Sequence, residues 1–104
     1  MQMNRFAALS DSTRLRIVEL LGGGERTAGA IGEHFPVSAP AISQHLKTLR
    51  EAGLVRVRVD GQRRIYSLDP EGFAEMEGWF AKMRGFWNDR LDTLERALSK
   101  GEEE

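Results

Sequence analysis

Apolar side chains recur at three- and four-residue steps over the first fifty positions, alternate with polar ones for a short stretch, then return to helical steps. Met3 to Leu9 predicts a short helix, closed by Ser10-Asp11-Ser12, whose side chains suit orphan backbone donors. From Ser12 to Leu21 the stripe Leu15, Val18 and Leu21, widened by Ile17 and Leu20, predicts a core helix that stops at Gly22-Gly23-Gly24. Thr27 suits the cap of a third helix, Ala28 to Phe35, whose small residues would admit a close neighbour and which Pro36 ends. Ser38 caps a fourth, with Pro40 in the first turn where its missing N–H does no harm, Ile42, Leu46 and Leu49 facing inward, and Gly53 at the end.

The spacing then becomes that of a strand, Leu54-Val55-Arg56-Val57-Arg58-Val59. Asp60-Gly61 is a strong two-residue hairpin signal, and Gln62 to Leu68 returns, predicting a two-stranded wing. After Asp69-Pro70 the helical spacing lasts for about 30 residues, a helix about 45 Å long. Phe73, Met76, Phe80, Met83, Trp87, Leu91, Leu94 and Leu98 form a near-heptad seam that Trp79 and Phe86 broaden. A monomer would leave so wide an apolar face exposed, so the pattern predicts burial against a second copy. The expected fold class is mainly α with a small β-hairpin: five helices and a two-stranded wing in one domain over residues 1–104, without repeats or linkers.

Composition narrows the function. The 104 residues, 40% hydrophobic and 30% charged, suit one ordinary soluble domain. There is no cysteine, which excludes disulfides, thiolate metal sites and thiol redox sensing. No apolar run approaches a membrane span or a signal peptide, so a cytoplasmic location is the default expectation. The net charge of -1 conceals an asymmetry. Residues 38–68 carry six basic groups against two acidic ones, whereas residues 71–104 carry five against nine. The first stretch is an anion-seeking surface and the second is not.

A two-turn helix, a tight turn at Pro36-Val37-Ser38, a longer helix and a basic hairpin, in that order, define a winged helix-turn-helix. With Ile42, Leu46 and Leu49 buried, the fourth helix exposes Ser38, Ala41, Ser43, Gln44, Lys47 and Thr48, small or hydrogen-bonding residues suited to a major groove. Gln44 can pair bidentately with adenine, Ser43 and Thr48 can donate or accept, and Lys47 can meet a phosphate or guanine. His45 reads either as a packed histidine bonding a neighbouring backbone group or as a DNA contact; His34 reads as structural. In the wing, a turn at Asp60-Gly61 sets Arg58 opposite Arg63, a repulsive pair that phosphate or a narrow minor groove would relieve. Arg56 and Arg64 complete the basic set, the alternative being a solubilising sheet edge. No nucleophile, phosphate loop or paired histidine and carboxylate points to catalysis, and Gly22-Gly23-Gly24 lacks the lysine of a P-loop.

These residues resemble the ArsR-type bacterial repressors, the ArsR/SmtB superfamily, over nearly the whole chain. Ala8-Leu9-Ser10-Asp11-Ser12-Thr13-Arg14 looks like the family's opening segment, Val37 to Leu49 like its recognition helix, and Glu51-Ala52-Gly53-Leu54-Val55 like its run into the wing. The resemblance implies a homodimer joined through the first and last helices (residues 1–9, with Phe6 and Leu9, and 70–99), bound to an inverted repeat and blocking transcription. Where the family's metal sensors carry a cysteine pair, this chain has Ala28-Gly29-Ala30-Ile31-Gly32, and residues 70–104 contain no histidine. The likeness is therefore to the cysteine-free, SdpR-like branch, with no metal and no cofactor expected. Two other classes remain: a winged-helix protein-interaction module, and a repressor gated by an apolar ligand or protein partner at Trp79 to Trp87. Residues 100–104 read as a solvated acidic tail.

Overall fold

The computed structural model describes residues 4–103 and orders them as five helices and three short strands. The expected helix at the start becomes α1 (Asn4–Leu9), and residues 1–3 of the expected dimerisation segment lie outside the described residues. Ser10 Oγ donates to Ala7 O at 2.6 Å, taking up a carbonyl that α1 leaves open. One residue on, Asp11 caps α2 (Ser12–Leu21), its carboxylate accepting from Arg14 N at 3.0 Å. The core stripe of α2 is centred on Ile17 and Leu21, which are buried, while Leu15 is 43% exposed.

The chain then makes a short strand that the sequence pattern did not announce, β1 (Arg26–Thr27), before α3 (Ala28–Gly32). Thr27 Oγ1 caps α3 as expected, accepting from Ala30 N, but α3 is shorter than the Ala28 to Phe35 reading. Ser38 caps α4 (Ala39–Glu51) by accepting from Ala41 N. At the other end Gly53, at φ +75°, lets Leu54 N reach Leu49 O and Gly53 N reach Arg50 O, both at 3.0 Å. That pair of bonds is a Schellman motif, which closes α4 and turns the chain into the wing.

The wing strands are β2 (Val55–Asp60) and β3 (Arg63–Leu68), and β1 pairs with the far edge of β3 to give an antiparallel sheet of order β1-β3-β2. The sheet thus has three strands, not two. The turn also differs from the expected one: Asp60 pairs with Arg63, so the two central residues are Gly61 and Gln62. Gly61 alone has a positive φ, +64°, the pattern of a II′ turn, which takes its glycine first; an Asp60-Gly61 turn of type I′ would force a positive φ on Asp60 as well.

The chain folds as two compact units, residues 1–73 and 74–104. In the first, Ile17, Ile31, Ile42, Leu46, Leu49, Leu54 and Val55 are almost wholly buried, so α2, α3 and the inner face of α4 close over the base of the sheet. Each such side chain is worth about 1.5–3 kcal/mol. The first turn of α5 (Pro70–Glu103) belongs to this unit: Asp69 Oδ1 caps it through Glu71 N, and Pro70 occupies its start. Gly72 lies against the Gly53 carbonyl so closely that a Cβ would overlap it. The second unit is the remainder of α5, which continues through Lys100 and Gly101 to Glu103 rather than ending before an acidic tail. Among the described residues no helix is long and apolar enough to cross a membrane.

Candidate nucleic-acid interface

Burial of Ile42, Leu46 and Leu49 leaves α4 with an outward face on which Ser43, Gln44 and Lys47 are exposed. Ala41 and Thr48 are half-buried at its margins. Two of the expected reading residues have partners inside the helix. Ser38 Oγ is occupied by the cap, and Thr48 Oγ1 donates to Gln44 O at 3.1 Å. Both therefore shape α4, and the groups free to meet a base edge are the Ser43 hydroxyl, the Gln44 amide and the Lys47 ammonium.

Register decides what the wing offers. Arg58 stands opposite Ile65, and Arg63 opposite Asp60, so the repulsive Arg58 and Arg63 pair expected from the sequence does not exist. Moving the turn by one residue shifts the pairing by two, which keeps every side chain on its face but changes its neighbour. Arg63 Nη2 lies 3.3 Å from Asp60 Oδ2, and Arg58 Nη2 lies 2.6 Å from Glu25 Oε1, just before β1. Both pairs are more than half exposed, the setting in which an ion pair is worth about 0–1 kcal/mol and is readily exchanged for a phosphate. Arg56 and Arg64 are exposed without an ion pair among the described residues. Cross-strand partners share a face, so Arg56, Arg58 and Arg63 lie on one side of the hairpin and Arg64 on the other.

Behind α4 lies a polar corner that sequence reasoning did not find. Arg14 Nε donates to Ala8 O at 2.7 Å and Nη2 to Ala7 O at 3.5 Å, while Nη1 stands 3.4 Å from His45 Nδ1. Asp11 Oδ2 lies 3.8 Å from the same nitrogen. The backbone N–H of Arg14, helped by the charge of the Arg14 guanidinium, holds the Asp11 carboxyl below its ordinary value. A second such group is Arg5, only 7% exposed, whose Nε donates to Ala52 O at 3.0 Å beneath the closing turn of α4. A cation there meets the negative end of the helix. Neither contact has a local signal, since His45 is 31 residues from Arg14 and Ala52 is 47 from Arg5.

Within the second unit the expected dimer seam is largely bare. Trp79, Phe80, Phe86, Trp87, Leu91, Leu94 and Leu98 are each more than a third exposed, Met83 is half-buried and Met76 buried. Trp79 packs edge-on against Phe80 and Phe86 against Trp87, and the Arg90 guanidinium lies 4.6 Å over the Phe86 ring. An open hollow of about 530 Å³ is lined by Trp79, Phe80, Met83, Arg84 and Trp87. In the first unit Phe6, Leu9 and Phe73 are half-buried. Among the described residues no group of three or more histidines or carboxylates could hold a metal ion.

Residues 9–58 match a family model described as a helix-turn-helix domain. The chain is 45% identical over 84 residues to the HTH-type transcriptional regulator Rv2034 of Mycobacterium tuberculosis, covering 81% of this chain and 76% of that one. It is 43% identical over 76 residues to the transcriptional repressor SdpR of Bacillus subtilis, covering 73% of this chain and 84% of that one. A similar solved structure is the homodimeric winged helix-turn-helix DNA-binding domain of Mb0332 from Mycobacterium bovis, a possible ArsR-family transcriptional regulator. The TM-score is 0.65 at 29% identity, over 79% of this chain and 76% of that one.

Proposed function

Because the chain belongs to the ArsR/SmtB family of winged helix-turn-helix, DNA-binding transcriptional repressors, we propose that it acts in the cytoplasm as a homodimer that binds an inverted repeat and blocks transcription, its own included. The observation that carries this reading is the outward face of α4, Ser43, Gln44 and Lys47, backed by a wing with four exposed arginines. Each subunit lays α4 in a major groove, with Gln44 and Ser43 at base edges and Lys47 at a phosphate or guanine, while the wing follows the backbone. Arg56 and Arg64 supply phosphate contacts directly; Arg58 and Arg63 first release Glu25 and Asp60. The exposed apolar seam of α5 is one surface for the second copy and Phe6 and Leu9 of α1 offer another, and the homodimeric Mycobacterium bovis domain supports dimerisation. We assign no metal or other cofactor to this activity.

The test is enrichment of duplexes from a random-sequence library, joined to sedimentation of the free chain. An inverted repeat with half-sites about one helical turn apart, bound by one dimer and matched upstream of the chain's own coding sequence, is the expected result. A monomer in solution, or a library that yields no preferred duplex, would overturn it. The aromatic hollow on α5 favours a second reading, in which an apolar ligand gates DNA release. Quenching of Trp79 and Trp87 fluorescence by a panel of apolar small molecules tests that reading.

A further inference from the structure

The Arg14 guanidinium divides its donors between two helices. Nε and Nη2 hold the Ala8 and Ala7 carbonyls of the last turn of α1, where a helix leaves carbonyls open and favours a cation. Nη1 faces His45 on α4. Arginine has donors only, so this contact is a hydrogen bond in the tautomer whose Nδ1 accepts and whose Nε2 carries the proton. Asp11 fixes the other side of the corner, its Oδ2 accepting from Arg14 N at 3.0 Å while lying 3.8 Å from the imidazole. The His45 side chain is only 22% exposed, whereas its neighbour Gln44 is exposed.

We propose that His45 is a positioning residue of the recognition helix: its Nδ1, held by Arg14, fixes the roll of α4 about its own axis, and it touches neither base nor phosphate. This rests on α4 being the helix that reads DNA. The contacts of Ile42, Leu46 and Leu49 hold α4 down, but apolar burial is non-directional and resists a small roll weakly. A roll of about 10° moves a side-chain tip, about 5–6 Å from the axis, by about 1 Å. That is enough to break the bidentate geometry of Gln44 on a base. A directional bond from the side of the helix, anchored on α1 through Arg14, resists that motion. Lost with it is discrimination between sequences, not attraction to the phosphate backbone.

The experiment is an anisotropy titration of the full chain on two duplexes over a salt series, one enriched from the random library by the wild type and one scrambled. His45→Asn keeps a polar atom where Nδ1 stands; His45→Gln keeps one where Nε2 stands; His45→Ala keeps neither. The expected result is a loss of about five- to tenfold on the enriched duplex for His45→Ala and His45→Gln, the scale of one hydrogen bond. The scrambled duplex and the salt slope stay unchanged, and His45→Asn retains most of the preference. Glutamine is the better helix former, so a general stability effect would rank the two amides the other way. Rescue by His45→Gln and not His45→Asn, a salt slope flattened by about one unit with both duplexes weakened alike, or no effect of His45→Ala would overturn the proposal. A wild type that prefers no duplex would instead overturn the DNA reading, and this inference with it.

Discussion

Gln44 and Arg64 are both exposed polar side chains, yet their surroundings assign them different work. Gln44 carries two hydrogen-bonding groups on the outward side of α4, so Gln44→Ala should cost about 1–3 kcal/mol on the preferred duplex and nothing on a scrambled one. Arg64 stands on a hairpin strand without a carboxylate partner among the described residues, so Arg64→Ala should weaken both duplexes alike and flatten the salt slope by about one unit. Parallel titrations of the two variants check this, and an exchange of the two patterns would reverse the assignments. Asp11 adds a pH dependence. Its carboxyl is lowered in the folded chain, so its charge stabilises the fold at neutral pH, and that contribution disappears as pH falls from about 5 through the depressed value. Asn is an equally good cap without the charge. Asp11→Asn should therefore melt below the wild type near neutrality and converge with it in acid; a constant offset would contradict the electrostatic part. Ser43, Gln44 and Lys47 were legible in the sequence because an inward stripe fixes what lies outward. The partners of Asp11, Arg14, His45 and Arg5 were not, since they depend on which helix ends meet.

At the scale of elements, caps and breakers carried most of the information. Thr27, Ser38 and Gly53 act where the sequence put them, because each satisfies a local backbone need that its side chain or its φ announces. The wing strands were equally clear from alternation, but the turn was not. Asp60-Gly61 and Gly61-Gln62 both place a glycine at an allowed central position, and only the register separates them. β1 escaped notice because two residues cannot express a period. The meeting of α5 with the end of α4 left no pattern either, although it dictates a glycine at position 72. A Cβ on Gly72 would overlap the Gly53 carbonyl, and backbone cannot swing aside as a side chain can. Gly72→Ala should therefore destabilise by about 1–3 kcal/mol, despite alanine's better helix propensity, as read by chemical denaturation. An unchanged or raised midpoint would show that this contact is looser than described.

The whole molecule combines a unit that carries the exposed basic wing with a helix whose apolar seam is largely exposed among the described residues. That seam was the plainest feature of the sequence, because a near-heptad spacing over so long a helix has few uses in a monomer. Leu94 is 55% exposed, so a charge there should leave a lone chain intact. Leu94→Glu is expected to shift the protein from dimer to monomer in sedimentation and to weaken DNA binding with it; an unaltered dimer would exclude this face from the interface. The proposed division of labour gives sequence reading to the exposed face of α4 and phosphate attraction to the wing. It is tested most directly by titrating the wild-type chain against its preferred duplex and a scrambled one of equal length across a salt series. A preference of about 10³-fold or more is expected, with affinity for both duplexes falling as salt rises. Equal and weak binding to the two would contradict it.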